Sequence, residues 1–465
     1  MLIRNSFCFV FLFFSFLGYS QNYDSDLLTK EFHNGRRDAL RKLLPDSSCA
    51  VFFANPERQR ANDTKYLYHQ DPNLYYFTGL NEPNAMLIIF KENQTFYDSI
   101  TTNELIFIQE RDPAKEVWTG KRMGIVGVKD QLGFSFPFEN KQFADFEIDF
   151  SKFHQVSFLE FNNDVRDDIN DRGDLYSLIK HFKEKTGYAK KNLDNFNIVS
   201  VMGTLREKKQ PQELELMHKA IGMTVVAHYE LMKSLQVGLK EYQAQAIIEY
   251  MFKKQGSEYV GYPSIVGGGE NSCILHYETN RKKLDDGNLL VVDAGAEYHG
   301  YTADVTRTLP VNGKFSEEER IIYNIVLDAQ VAGIKACQEG LEFRAPHQAA
   351  QAVIQQRLMK LGIIKNEADY IKYFFHGTSH YLGLDVHDAG NYGKLTAGNV
   401  ITVEPGIYIP SGSDCDPKWW NIGIRIEDDV LITKGAPDIL SGNLPKKIDD
   451  IEAVMKEESL FNKIK

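Results

Sequence analysis

Cysteine is scarce, with only 5 in 465 residues. Cys8 lies near the start and Cys49, Cys273, Cys337 and Cys415 are scattered, with no Cys-x-x-Cys pair. That excludes a disulfide-stapled framework and a thiol-rich zinc site. One bridge among the four later cysteines stays open at this level, though their default reading is as small buried hydrophobes. A basic excess is also missing. Lys plus Arg total 53 against 64 Asp plus Glu, a formal net charge of −11 with no sustained basic run. Nucleic acid is therefore not an expected partner. No apolar run reaches the roughly 20 residues that a bilayer-spanning helix needs. Low-complexity segments and repeats evident from identity are lacking too, and 12% aromatics argue against a disordered chain.

With 43% hydrophobic and 25% charged residues, the chain is that of an ordinary folded protein. At about 100–200 residues per domain it should hold two to four domains. The N-terminus reads as an export signal. Arg4 precedes the apolar stretch Phe7 to Leu17, and Gly18 and Ser20 stand at −3 and −1 of a cut before Gln21. Cleavage there removes one positive charge and takes the net charge from −11 to −12. The expected location is periplasmic or secreted, with no membrane attachment afterwards.

Two halves follow. From about Asn22 to Val201, strand-like runs at Cys49–Ala54, Ala85–Phe90 and Glu104–Ile108 alternate with helical stretches such as Asp167–Glu184. This predicts an α/β domain. Its aromatics Tyr66, Tyr68, Tyr75, Tyr76 and Phe77 read as a packed core face rather than a binding surface. The second half opens with Pro211 at a first-turn position. Leu214, Met217, Ile221, Val225, His228 and Met232 then recur at helical steps, and Gly238 closes the run. A second helix is expected over Glu241–Gln255. Lys208 and Lys209 just upstream read as a solvated linker. Gly267-Gly268-Gly269 lacks the Gly-Lys-Ser/Thr of a phosphate loop, so close backbone packing is the better explanation. Strands are expected at Leu289–Asp293 and Tyr301–Leu309.

These last two strands carry the first chemical signal. One ends in Asp293, and alternation along the other puts Asp304 and Thr306 on one face. Carboxylates within an apolar sheet need compensation, which a cation supplies. Downstream, His376-Gly377-Thr378-Ser379-His380 leads into Leu382-Gly383-Leu384-Asp385-Val386-His387-Asp388. Glu404 then ends an apolar strand before Pro405-Gly406, and Glu427 follows the alternating Gly423-Ile424-Arg425-Ile426. Asp293, Asp304, Glu404 and Glu427 with His380 form a donor set suited to two divalent cations.

The second half resembles the pita-bread metallopeptidases, the fold of methionine aminopeptidase, prolidase and aminopeptidase P. The ordered set Asp293, Asp304, His380, Glu404, Glu427 matches that family's five metal ligands. The run from His376 to Asp388, Ile274-Leu275-His276-Tyr277, Glu404-Pro405-Gly406-Ile407-Tyr408 and Ile422 to Asp429 are similar to aminopeptidase P. So is the first half, through Tyr75-Tyr76-Phe77-Thr78-Gly79-Leu80-Asn81-Glu82-Pro83 and Arg111-Asp112-Pro113. Two departures stand out: Tyr381 where the motif commonly has Trp, and a longer segment from Pro410 to Trp420.

The resemblance implies an α/β (α+β) chain: signal peptide 1–20, N-terminal domain 21–200 and catalytic domain 201–465. It implies an exported aminopeptidase removing the residue before a proline from Xaa-Pro-Yaa peptides. Asp304 and Glu427 would bridge two metals, His380 and Glu404 complete one site, and Asp293 chelates the other. A hydroxide held between the metals would attack the carbonyl, with Glu404 as general base. His276 and His387 would steady the developing charge, His376 would line the proline pocket, and Arg425 would support substrate binding. Mn²⁺ is the expected metal, with Zn²⁺ or Co²⁺ able to serve, and the chain should be a homodimer or tetramer. Prolidase, restricted to Xaa-Pro dipeptides, is the enzyme alternative. A non-catalytic pita-bread binding module is the remote one, weakened by the complete ligand set. A Cys273–His276 nucleophile is poorer still, because nothing nearby marks Cys273 as an activated thiolate.

Overall fold

The structure, a computed structural model, describes residues 24–187 and 191–461. The expected signal peptide, residues 1–20, lies outside them.

The N-terminal half is built on a six-stranded mixed sheet. Its order is Pro137–Glu139, Ile100–Ile108, Met86–Phe96, Ser48–Phe53, Gln155–Phe158, Leu193–Asp194. All three expected strands are present, but the second and third are longer than their apolar runs. They continue as a hairpin through polar, largely exposed residues after Phe90 and turn at Tyr97 and Asp98, both at positive φ. Hydrophobicity marks where a strand is buried, not where it ends.

The helix expected over Asp167–Glu184 starts only at Leu175 and runs to Thr186. Asp174 is its N-cap and accepts from Ser177 N at 2.8 Å. The stretch before it is drawn into side-chain turns, with Asn170 N donating to Asp168 and Gly173 N to Asp171. Tyr76 and Phe77 are fully buried as expected, whereas Tyr66 is 59% exposed.

The second half begins with the helix Pro211–Ser234, opened by a reciprocal cap between Gln210 and Glu213. It ends at Ser234, four residues before Gly238, which lies in the link to the helix Glu241–Lys254. A three-stranded antiparallel sheet of Ile265–Gly268, Leu289–Ala294 and Val305–Pro310 follows. A Cβ on Gly268 would fall 2.3 Å from Leu284 Cδ2, so close packing does explain that glycine. The strand expected over Tyr301–Leu309 is broken at Ala303–Asp304. There Asp304 N turns to the Asp429 side chain at 3.2 Å instead of a neighbouring strand.

Two further antiparallel arrangements bear on the site: Val400–Val403 with Asp428–Leu431, which also pairs with Asp438–Ile439, and Gly406–Ile409 with Ile422–Arg425. The segment from Pro410 to Trp420 is the loop of the second pair, at the end remote from the Gly406–Arg425 pairing. Its Trp419 is buried in the core of the second half. Helices Glu317–Lys335 and Ala345–Lys360 pack against each other. The halves also share a core: Phe32, Tyr76, Leu205, Met217, Tyr301 and Leu382 belong to one buried cluster.

Candidate metal centre

Strand register assembles the centre. Asp293 pairs with Thr306 across the sheet, so the break at Asp304 sits beside it. Glu427 joins through Thr306, whose carbonyl accepts from Glu427 N at 3.1 Å and whose Oγ1 donates to Glu427 Oε2 at 2.6 Å. Tyr262 closes the group, its hydroxyl 2.6 Å from Asp293 Oδ1 and 2.5 Å from Asp304 Oδ1. His380 and Glu404 come from adjacent segments, His380 N donating to Thr402 Oγ1 and Glu404 N to Thr378 O.

His380 Nδ1 lies 3.0 Å from the Tyr381 carbonyl, an acceptor only. That fixes the proton on Nδ1 and leaves Nε2 facing the carboxylates, 3.3 Å from Asp304 Oδ2 and 3.6 Å from Glu404 Oε1. Donor atoms of Asp304, His380 and Glu427 all lie within 4.8 Å of one another.

Electrostatics shows what the group lacks. Burial, and then the charges of Asp304, Glu404 and Asp293, push Glu427 well above the ordinary carboxylate range. Burial followed by the Asp293 charge raises Asp304. Glu404 is pushed up to about 7, burial first, with Asp304 and Asp293 outweighing the opposing His380 and Arg425. For His380 burial pulls downward, but contact with Asp304 lifts it to about 9. Four carboxylates raised or held apart only by neighbours form a site with excess negative charge. An oxygen-rich set with one imidazole and that excess fits divalent cations.

Around this centre the other expected residues gather to different degrees. Arg425, only 3% exposed, donates to Asp293 Oδ2 at 2.6 Å, to Thr306 Oγ1 at 3.2 Å and to the Tyr408 hydroxyl at 3.0 Å. Tyr408 in turn donates to His376 Nε2 at 3.0 Å, while His376 Nδ1 donates to Gly377 O at 2.7 Å. This one-way chain needs a neutral His376, and burial with the Arg425 charge lowers it to about 3. His376 also stands 3.6 Å from Glu404 and borders a cavity of ≈ 510 Å³ walled by Phe343, Phe374, Phe375 and Tyr392. The His387 ring lies 4.3 Å from that of His380. Burial, then the neighbouring His380 and His276, lower His387. His276 and His387 are both solvent-exposed.

The structure adds residues that the sequence did not single out: Tyr262, Tyr408 and Asp429. Tyr408 and Asp429 lie within quoted motifs and Tyr262 in none, but a lone Tyr or a neighbouring Asp carries no spacing signal of its own. It also corrects one reading. Lys208 is exposed, as a solvated linker requires, but Lys209 is buried, its Nζ donating to Asp388 Oδ2 at 2.7 Å. Lys209 is drawn inside by a partner 179 positions away, which local charge pattern does not reveal. The cysteines at 49, 273, 337 and 415 are free, so the bridge left open in the sequence does not form among the described residues. Burial pushes the Cys273 thiol up to about 11, the opposite of an activated nucleophile.

Residues 215–434 match metallopeptidase family M24, and residues 33–152 match the aminopeptidase P N-terminal domain. The Xaa-Pro aminopeptidase of Escherichia coli K12 is 35% identical over 453 residues, covering 93% of this chain and 98% of that protein. Human Xaa-Pro aminopeptidase 3 is 30% identical, covering 88% of this chain and 81% of its own. A structure of Escherichia coli aminopeptidase P with the inhibitor Pro-Leu superposes with a TM-score of 0.82 at 33% identity, covering 92% of this chain and 98% of that one. Zinc-substituted Escherichia coli aminopeptidase P in complex with product is similar at a TM-score of 0.80, with 92% of this chain and 98% of that one covered. With the ligand-rich centre in the second half and the matching domain in the first, the chain belongs to the Xaa-Pro aminopeptidase branch of the M24 metallopeptidases, an enzyme of the pita-bread fold.

Proposed function

We propose that the chain is an exported aminopeptidase that releases the N-terminal residue from Xaa-Pro-Yaa peptides. The observation that carries this reading is the close group Asp304, His380 and Glu427, joined by Asp293 through the shared Tyr262 hydroxyl and by Glu404 next to His380, whose crowded buried carboxylates call for cations. These five residues would hold two divalent ions, Asp304 and Glu427 between them. Mn²⁺ is proposed on the oxygen-rich donor set, with Zn²⁺ or Co²⁺ as substitutes. Ions bound there supply Lewis-acid polarisation of the peptide carbonyl and a water acidic enough to react near neutral pH.

The chain's own groups do the rest. Glu404 takes the proton of the attacking water and delivers it to the departing proline nitrogen. His387, exposed beside His380, and the exposed His276 turn an N–H toward the carbonyl oxygen as charge develops on it. His376, held neutral between Tyr408 and Gly377 O, offers a flat ring face to the proline. Arg425 has its donors committed to Asp293, Thr306 and Tyr408, so it supports the substrate by fixing those groups. Proline lacks an N–H, and enzymes that bind substrate as a hydrogen-bonded strand handle it badly. A centre that grips the ring and the carbonyl does not need that N–H.

Among the described residues no helix is long and apolar enough to cross a membrane. Val117, Trp118 and Ile169 of the N-terminal half are each more than 80% exposed, apolar side chains that the proposed homo-oligomer would cover. The test is amino-acid release from a Xaa-Pro-Yaa tripeptide and a Xaa-Pro dipeptide after chelation and resupply of Mn²⁺ or Zn²⁺. Metal-dependent release from the tripeptide is expected. Release from the dipeptide alone would make the chain a prolidase, which the names of its relatives do not favour.

A further inference from the structure

The loop that presents His387 is gripped from behind by a buried ionic cluster. Asp388, the next residue, has a side chain only 1% exposed, and so does Lys209; Arg206 is 2% exposed. Lys209 Nζ donates to Asp388 Oδ2 at 2.7 Å and to the Arg206 carbonyl at 2.6 Å. Arg206 Nη2 donates to Asp388 Oδ1 and, at 2.8 Å, to Asp385 Oδ2. Two cations thus face two carboxylates, and those carboxylates flank His387 at 385 and 388.

The cations come from outside the loop. Arg206 ends the helix Asn197–Arg206, and Lys209 lies in the short link before Pro211, its own N–H bonded to Gly398 O at 2.8 Å. Arg206 also donates through Nη1 to Asn73 Oδ1 at 2.8 Å, on a helix of the N-terminal half. Gly383 leaves the room this needs, because a Cβ there would lie 2.1 Å from Asp388 Oδ2 and 2.7 Å from Lys209 Cε. The loop end is fixed as well, with Asp388 N donating to Tyr381 O at 2.9 Å.

So deeply buried an ion pair contributes little net stability, because desolvation offsets the attraction. What it does supply is geometry: a carboxylate held from two sides by fixed donors has one position. We propose that Lys209 and Arg206 are positioning residues for His387, locking Asp388 so that the imidazole is aimed across the His380 ring, with Asn73 tying that aim to the N-terminal half. This rests on the role given to His387 under the proposed function.

A double-mutant cycle tests it in the metal-loaded full-length enzyme with a Xaa-Pro-Yaa tripeptide. Lys209→Met should lower kcat about 10- to 100-fold, the scale of a misplaced catalytic group, with KM and bound metal nearly unchanged. In a His387→Ala background the same substitution should change kcat by less than about twofold, because the group it acts through is gone. Lys209→Arg should restore much of the loss. Asn73→Ala keeps the ion cluster intact, and it carries the same cycle with a smaller effect should Lys209→Met fold poorly. Equal losses in both backgrounds, or loss of bound metal, would overturn the proposal in favour of a merely structural cluster. His387→Ala with undiminished turnover would also overturn it, while tripeptide cleavage by the wild type would still support the proposed function. No cleavage by the wild type overturns that function itself, a separate result.

Discussion

Arg425 donates to Asp293 Oδ2 across 2.6 Å, and that contact sets Asp293 apart from the other carboxylates of the centre. Burial acts to raise Asp293, but the guanidinium holds it below the ordinary range while Asp304, Glu404 and Glu427 are lifted. Arg425→Met should therefore raise Asp293. A carboxyl with a raised pKa loses its charge at a higher pH, so acid-driven metal release should begin earlier, by about one pH unit. Metal content after dialysis across a pH series measures this, and an unchanged midpoint would show that the guanidinium does not set the Asp293 charge.

Asp304 is crowded, in contact with His380 and Tyr262 and raised by the charge of Asp293. Asp304→Asn removes a repelling charge and a ligand at once, so its two effects should have opposite signs. The metal-free chain should melt at a higher temperature than metal-free wild type. Metal affinity should fall by more than the roughly 10- to 100-fold typical of an outer partner. Retention of two metals per chain would mean that Asp304 does not bridge.

For His387→Ala the expected loss is in turnover. Removing one donor that meets developing negative charge costs about 100- to 1,000-fold in kcat. Bound metal should stay at the wild-type level, because His387 faces His380 ring to ring and is not part of the close donor group. Metal analysis beside kinetics decides it, and metal loss would put His387 among the ligands.

Acid stability should track two buried histidines that are not part of the proposed metal-holding group. Burial lowers both His33 and His228 from 6.5 to about 4, and both are 1% exposed or less. Between those values the unfolded chain binds protons that the folded chain refuses. Stability present above pH 6.5 is then lost as pH falls toward 4, by about 3 kcal/mol for each histidine. Denaturant midpoints across that window should fall less steeply for His33→Gln than for wild type. Parallel slopes would show that folded His33 takes up its proton as readily as the unfolded chain does.

Export makes its own prediction. N-terminal sequencing of the chain from a periplasmic or culture fraction should begin at Gln21, and an intact Met1 in a soluble cytoplasmic fraction would count against a cleaved signal.

Much of the centre was legible because its chemistry is rare along the chain. A carboxylate that ends or interrupts an apolar strand, as Asp293 and Glu404 do, stands out from a background of hydrophobic residues. Tyr262 did not, since a tyrosine near strands is ordinary until its hydroxyl is found between two aspartates. Lys209 shows the same limit: next to Lys208 it looks like one of a solvated pair, and only its contact with Asp388 shows otherwise. Helix starts were read best where a proline or a cap marks them, as at Pro211. They were read worst where Asp-rich turns imitate the approach to a helix, as before Leu175.

By itself the sequence determined which residue types are present and which strands and helices carry them, because periodicity and turn chemistry are local properties. It thereby named the acids and histidines of a metallopeptidase. The tertiary structure alone decided which proton each group holds and which way it faces. Those depend on fields and contacts between residues far apart in the chain: Arg425 on Asp293, Tyr381 O on His380, Lys209 on Asp388. Charge acts through space, and the order of residues does not record that distance.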